Sequence, residues 1–232
     1  HDFAQKYGWP IGSWCVEKVT DMSEMFKDLS TFNDDISGWE VGQVTNMSAM
    51  FQGASAFNGN ISSWNTSAVT NMGYMFFRAS SFNPEDLSNW DTSQVIYMNS
   101  MFLEASLFNG NISSWTTSAV TDMSYMFHGA SKFNGNISSW DTSAVTAMSS
   151  MFFKASSFNQ NLCSWKDNFP HSSANDIFLG SGCTFQDTPQ IDQQGSFCSS
   201  DCSALTTAPS NPTQTPTMPT KQPSPEPTVG SS

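Results

Sequence analysis

Apolar and polar positions along the chain alternate in a pattern that returns about every 25 residues. Each repeat approximates W-x-T-S-x-V-T-x-M-S-x-M-F-x-x-A-S-x-F-N-x-N-I-S-x, in which seven or eight positions are apolar. This length lies in the range of leucine-rich repeats, roughly 20–29 residues, whose units bury their apolar faces only by stacking on one another. The tryptophans that mark the period are Trp14, Trp39, Trp64, Trp90, Trp115, Trp140 and Trp165.

Each repeat divides into three predicted elements. The alternation in Val-Thr-x-Met predicts a short strand. The i, i+3, i+4 spacing in Ser-x-Met-Phe-x-x-Ala predicts one or two helical turns, and Phe-Asn-x-x-Ile-Ser-x-Trp predicts a turn followed by a second short strand. We therefore expect a leucine-rich-repeat-like solenoid of short parallel β-strands with helical turns, in about six to seven coils.

The same pattern predicts the domain organisation. Residues 1–13 form an N-terminal cap or partial coil, residues 14–165 the solenoid, residues 166–203 a disulfide-bearing C-terminal cap, and residues 204–232 a Pro/Thr/Ser-rich tail. Caps are expected because the open edges of a solenoid invite pairing with another chain. The tail has too little apolar bulk to fold by burial, so it is either an O-glycosylated stalk or a plain disordered segment.

Two recurring positions predict ladders of equivalent side chains, since neighbouring strands lie roughly 4.7–4.9 Å apart. The tryptophan ladder, either inside the coil or along its edge, comprises Trp39, Trp64, Trp90, Trp115, Trp140 and Trp165. The asparagine of each Phe-Asn pair recurs while its neighbours vary. This recurrence predicts a buried ladder that hydrogen-bonds the turn backbone of adjacent coils. Its members are Asn33, Asn58, Asn83, Asn109, Asn134 and Asn159.

The composition argues against a nucleic-acid partner and against a transmembrane segment. Charged residues make up 12% of the chain, the net charge is −12, and Lys and Arg total eight. Because no basic stripe is present, the sequence gives a nucleic-acid backbone nothing to bind. No run of 18 apolar residues occurs, so no transmembrane segment is predicted.

The five cysteines favour an oxidising compartment, because four of them lie near the C-terminal end. We predict the disulfides Cys163–Cys183 and Cys198–Cys202. Cys15 is then either a buried free thiol or a bridge to another subunit. The chain begins at His1 rather than Met, as a mature protein does after removal of a signal peptide. We therefore expect a secreted or cell-surface protein.

Glycosylation is predicted at two kinds of site. Five N-x-[ST] sequons mark candidates for N-glycosylation, although Asn- and Ser-rich repeats produce some by chance; they are Asn46, Asn60, Asn65, Asn111 and Asn136. Threonines of the Pro-rich tail are candidates for O-glycosylation; they are Thr206, Thr207, Thr213, Thr215, Thr217, Thr220 and Thr228.

The repeat closely resembles the BspA-like leucine-rich-repeat surface proteins, also described as Mycoplasma-lipoprotein-type repeats. The family pattern V-T-x-M-S-x-M-F, A-x-x-F-N and I-S-x-W is present at residues 44–51, 54–58 and 61–64, and the resemblance covers about residues 9–165. Residues 181–202 resemble the C-terminal closure of algal members. The resemblance implies an extracellular or surface location, roles in adhesion or matrix, and no conserved catalytic residues.

Nothing in the sequence predicts a catalytic, cofactor or metal site. The three histidines lie in no paired motif, and no G-x-S-x-G, H-E-x-x-H or Gly-rich phosphate loop is present. We therefore expect a non-enzymatic structural or surface protein that associates head to tail with its own kind into a glycosylated fibre or matrix. The alternative is a monomeric adhesion module that binds a partner protein or a glycan along one face.

Overall fold

The computed structural model describes residues 10–190 and 197–202. Within these ranges successive repeats lie side by side, and residues one period apart occupy equivalent places. Parallel bridges mark this register at Asp21–Asn46, Asn46–Asn71, Asn71–Tyr97, Tyr97–Asp122 and Asp122–Ala147. The helices of the described residues are three short 3₁₀ helices, Ile11–Ser13, Cys163–Asn168 and His171–Ser173.

Hydrogen bonds between repeats are concentrated in one segment of each repeat, of which residues 98–104 are an example. The backbone N–H groups of Met98, Ser100, Phe102 and Glu104 donate to carbonyl oxygens of the next repeat at 2.7–3.2 Å. Met101 and Leu103, which lie between them, close tight turns within their own repeat, from N–H(i) to C=O(i−3). Every second residue therefore joins two repeats, and the others shape the turn.

Two residues in each repeat adopt a positive φ, such as Ser100 at 57° and Glu104 at 55°. Turns with a left-handed third residue require such an angle, and it costs a side chain other than glycine about 1–2 kcal/mol. The backbone therefore changes direction too often to form an extended β-strand. In place of the predicted strands and helical turns, the described residues form single parallel bridges joined by tight turns, with no continuous strand and no α-helix.

The core consists of columns of identical side chains. Phe102 and Phe108 of one repeat stack at 3.8 Å between ring centroids, and Phe102 lies 5.6 Å from both Phe76 and Phe127 of the neighbouring repeats. All of these rings are fully buried. Burying a phenylalanine is worth about 1.5–3 kcal/mol, so the columns hold the repeats together.

The C-terminal cap contains two disulfides, but their predicted pairing is wrong. Cys163 is bonded to Cys202 and Cys183 to Cys198. The reason is an antiparallel bridge between Cys198 and Phe185, which brings Cys198 to within 4.6 Å (Cα–Cα) of Cys183. Cys202 then reaches the last repeat at Cys163, with 5.4 Å between the Cα atoms.

The cap also satisfies the backbone at its end of the stack. The N–H of Asp176 donates to Thr188 Oγ1 at 3.1 Å, and the N–H of Gly180 donates to Gln186 Oε1 at 3.0 Å. In the repeats, the equivalent N–H groups donate to the next repeat. The two side chains therefore take the place of a further repeat.

Candidate functional site

The recurring asparagines form a ladder on the surface. The side-chain Oδ1 of Asn83 accepts a hydrogen bond from the N–H of Asn109 at 2.8 Å, and Asn109 Oδ1 accepts one from the N–H of Asn134 at 2.9 Å. The same bond recurs through the other members. All six side chains are exposed, so the predicted burial is wrong. Because each oxygen already binds the next repeat, the ladder is a connection between repeats rather than a ligand site.

Replacing Asn109 by alanine is expected to lower the free energy of unfolding by about 1 kcal/mol. The change removes the acceptor for the N–H of Asn134, which is exposed and turns to water instead. Asn109→Asp retains an acceptor oxygen at the same place, so its free energy of unfolding should fall much less than that of Asn109→Ala. Urea denaturation of the two variants tests this, and an equal loss in both would show that the oxygen does not act as described.

The tryptophan column faces the interior. Trp64, Trp90 and Trp115 are 2–3% exposed. The indole N–H of Trp90 donates to the carbonyl oxygen of Ile61 at 3.0 Å, and that of Trp115 to Leu87 at 3.0 Å. These rings therefore join repeats from within and offer no surface to a glycan.

The N-glycosylation candidates occupy a recurring turn. Asn60, Asn65, Asn111 and Asn136 are exposed, whereas Asn46 is half-buried. In each turn the asparagine oxygen accepts the N–H of the serine two residues later, as at Asn111 and Ser113 (3.2 Å). Aspartate makes the same turn in other repeats, for example Asp91 with Ser93 at 2.9 Å. The N-x-Ser spacing therefore follows from the turn itself, independently of any attached sugar.

The aspartates of these turns are held in their ionised form. Hydrogen bonds from the side chain of Ser93 and then its backbone N–H lower the pKa of Asp91, and the equivalent bonds from Ser143 lower the pKa of Asp141. A lowered pKa in the folded state means that the unfolded chain binds protons more readily. These turns therefore contribute stability at neutral pH that is lost as the pH falls through the acid range.

Several sequence predictions lie outside the described residues. These are His1, most of the N-terminal segment, and the tail with its O-glycosylation candidates. Cys15 lies within the described residues, where it is exposed and free, so the alternative of a buried thiol is wrong.

The first repeat presents a different end from the cap. No described residue donates to the carbonyl oxygens of Asp21, Ser23, Met25 and Lys27, which are equivalent to the acceptors of later repeats. The apolar side chains that pack on the core there are only partly buried; they are Trp14, Val19, Met25, Leu29 and Phe32. Position 29 is specific to this repeat, because the equivalent residues 54, 79, 105, 130 and 155 are all alanine.

Three tyrosines lie exposed in three successive repeats. Tyr74 and Tyr125 occupy the same place two repeats apart, and Ser100 stands between them. Tyr97 belongs to the middle repeat, where it precedes Ser100 by three residues. The exposed fractions are 42% for Tyr74, 47% for Tyr97 and 43% for Tyr125. We call these residues the tyrosine face; aligning the repeats in register reveals the Tyr74–Tyr125 pair, which the sequence analysis missed.

Other rings brace two of the tyrosines. Tyr74 makes an edge contact with Phe77 at 6.2 Å between centroids, and Tyr125 lies 5.8 Å from His128. His128 in turn stacks on Phe153 at 4.8 Å. Burial lowers the pKa of His128, against an opposing effect from Glu104. Burial therefore favours the uncharged form of His128.

The described residues contain no group of three or more His, Cys, Asp or Glu side chains placed to hold a metal ion. They also contain no helix long and apolar enough to cross a membrane.

Comparison with known proteins gives one match. The family described as "Mycoplasma protein of unknown function, DUF285" matches residues 2–87 and 79–188. No curated protein and no solved structure matches the chain.

Proposed function

Since the chain belongs to the DUF285 family of Mycoplasma-type repeat proteins, we propose that it is a non-enzymatic structural protein of the cell surface or extracellular matrix. Two disulfides fit an oxidising, extracellular compartment. The finer assignment within that proposal is a BspA-like, leucine-rich-repeat-type solenoid. The register of bridges and ring columns at each repeat supports it.

The difference between the two ends carries the proposal of head-to-tail association. Within residues 10–190 and 197–202, no group donates to the carbonyl row of the first repeat, and Met25, Leu29 and Phe32 there are only partly buried. The cap, by contrast, is closed by disulfides and by Thr188 and Gln186. Two copies of the first repeat would set carbonyl rows against each other, which is unfavourable. Contact between unlike ends avoids this, because the carbonyl row then meets the side chains that close the cap, whose backbone N–H groups are already bonded, rather than a second carbonyl row. A heterologous contact that does not close produces a filament.

Each end offers one apolar side chain that suits such a contact. Leu29 stands in the first repeat where the other repeats have alanine. Leu179 lies at the cap and is 47% exposed. Cys15 is free and exposed in the first repeat, but the four cysteines of the other end are already bonded in pairs, so it adds no disulfide to this head-to-tail contact.

Electron microscopy of the native, glycosylated protein under non-reducing conditions, with size-exclusion chromatography of the same sample, tests this proposal. We expect filaments with a regular axial repeat. Leu29→Ala, which introduces the residue of the other repeats, should weaken assembly, whereas Leu107→Ala on the side of the stack should not. Short rods of monomer mass under all conditions would overturn the proposal.

The second candidate function is that of a monomeric adhesion module. It is favoured by the tyrosine face, because tyrosine is enriched where proteins bind their partners. This surface lies along the repeats and is separate from both ends, so the two functions are compatible.

A further inference from the structure

We propose that the tyrosine face binds a neutral polysaccharide in an extended, β-linked conformation. The proposal gives a site and a ligand class to the second candidate function. It does not depend on end-to-end association, because Tyr74, Tyr97 and Tyr125 lie in repeats remote from both ends.

The spacing of Tyr74 and Tyr125 suits a chain of sugars. They are two repeats apart, and each step between stacked rings in the core measures 5.6 Å at Phe76–Phe102 and Phe102–Phe127. Two steps correspond to about 11 Å, or slightly less at the spacing of neighbouring strands. This is comparable to one disaccharide unit of an extended β-linked chain, in which every second sugar presents the same face. Tyr74 and Tyr125 can therefore stack on alternate sugars.

The middle repeat carries a third exposed tyrosine. Ser100, between the two tyrosines, is only 2% exposed, so the surrounding side chains cover it. Tyr97 lies three residues before it and is the most exposed of the three rings, at 47%. Its hydroxyl and the side-chain amide of the half-buried Asn99 offer hydrogen bonds to the intervening sugar.

The rings of Tyr74 and Tyr125 are held in place before any ligand binds. Phe77 contacts the edge of Tyr74, and the guanidinium of Arg78 lies 4.8 Å from the centroid of Phe77. Tyr125 rests against His128, which is itself stacked on Phe153. Ordering a side chain on binding costs affinity, and these contacts reduce that cost.

Charge favours a neutral ligand over a second copy of this chain or an acidic polymer. The chain carries a net charge of −12, so two copies placed side by side repel each other. Beside the face, Arg78 is paired with Glu104 at 2.7 Å, and Asp122 adds a negative charge at the bridge to Tyr97. One cation, Lys154, lies over the Phe153 ring at 5.1 Å from its centroid, next to the support of Tyr125, and is outweighed by the overall negative charge of the chain. Hydroxyl-rich neutral sugars carry no such electrostatic penalty.

Affinity electrophoresis of the full-length protein in gels containing soluble hydroxyethylcellulose tests the proposal, with alginate as the anionic comparison. We expect retardation by the neutral β-linked glucan and none by alginate. Tyr74→Ser and Tyr125→Ser should each weaken binding about tenfold, as expected for loss of a stacking anchor. Serine is the natural residue of this position at Ser100 and Ser150, so both variants should fold.

Leu107→Ser is the matched control, because it removes an equally exposed apolar side chain elsewhere. It should bind as the unaltered chain does. Absence of retardation of the unaltered chain, or equal retardation of the tyrosine variants, would overturn the proposal. So would tyrosine-dependent capture of a protein with no glucan binding. Filament formation by the same variants should be unchanged, so this test and that of head-to-tail association fail independently.

Discussion

Replacing Phe102 by alanine is expected to lower the free energy of unfolding by about 4 kcal/mol. The ring is fully buried and stacks on Phe108 within its own repeat at 3.8 Å. It also contacts Phe76 and Phe127 across both repeat interfaces at 5.6 Å. Alanine would leave a cavity at the meeting point of three repeats, where the backbone ladder prevents collapse.

Urea denaturation followed by tryptophan fluorescence measures this loss, with the disulfides intact. Leu107→Ala is the control, since a side chain that is 48% exposed should change stability by no more than about 0.5 kcal/mol. A loss at position 102 no larger than that of the control would contradict the described packing. A second, separate transition would instead indicate that the mutation uncouples the repeats on either side.

Removing the Cys163–Cys202 disulfide as a double alanine variant is expected to cost about 4 kcal/mol, because the bond closes a sequence separation of 39 residues. Removing Cys183–Cys198 should cost about 3 kcal/mol, since its separation is 15 residues. The longer loop restricts the unfolded chain more, and its bond also ties the cap to the last repeat.

Thermal denaturation of the unaltered chain and of the two double alanine variants checks which disulfide contributes more stability. Non-reducing peptide mapping of the unaltered chain checks which cysteines are paired. Cys15→Ala serves as the control and should leave the stability of the monomer unchanged, because this thiol is free and exposed. Peptides linked through Cys163–Cys183 would contradict the structure and restore the pairing expected from the sequence.

The contents of the core could be predicted from the sequence because apolar identity repeats with the period. Every position that recurs as Val, Met, Phe or Trp, such as Met98, Phe102 and Trp115, is buried in the middle repeats. A repeated position has the same neighbours in each unit, so one pattern explains many residues. The positions of the backbone turns were harder to predict. Glu104 and Lys154 adopt positive φ at a position where glycine is found only in other repeats, at Gly53, Gly129 and Gly180.

The disulfides and the asparagine ladder show a different limit. Four cysteines allow three pairings, and the antiparallel bridge that selects one depends on contacts far apart in sequence. The recurrence of asparagine indicated that its side chain forms hydrogen bonds, but not whether that side chain is buried or exposed. A side chain such as Asn109 can join two backbones from the outside as well as from the inside.

The Tyr74–Tyr125 pair was not predicted, for the opposite reason. These two tyrosines stand at a position that varies between repeats, and a consensus sequence records such a position only as variable. Tyr74 and Tyr125 become meaningful only when the repeats are aligned by their bridges, which shows that both share the place of Ser100. In a periodic protein, the residues that break the pattern in neighbouring units are the best candidates for binding.

Because the repeats stack in register, the number of units sets the length of the molecule. Because each unit bonds only to its neighbours, the genetic gain or loss of one 25-residue unit would leave the remaining interfaces unchanged and alter the length by about 5 Å. The unit that contains Pro84 departs from the period, because 26 residues separate Trp64 from Trp90. At Gly110 of the following unit, a Cβ would lie 2.6 Å from the Pro84 carbonyl oxygen, so a side chain at this position would clash with the preceding unit. Gene duplication can thus lengthen the stack outside residues 64–139 without changing the spacing of Tyr74, Tyr97 and Tyr125.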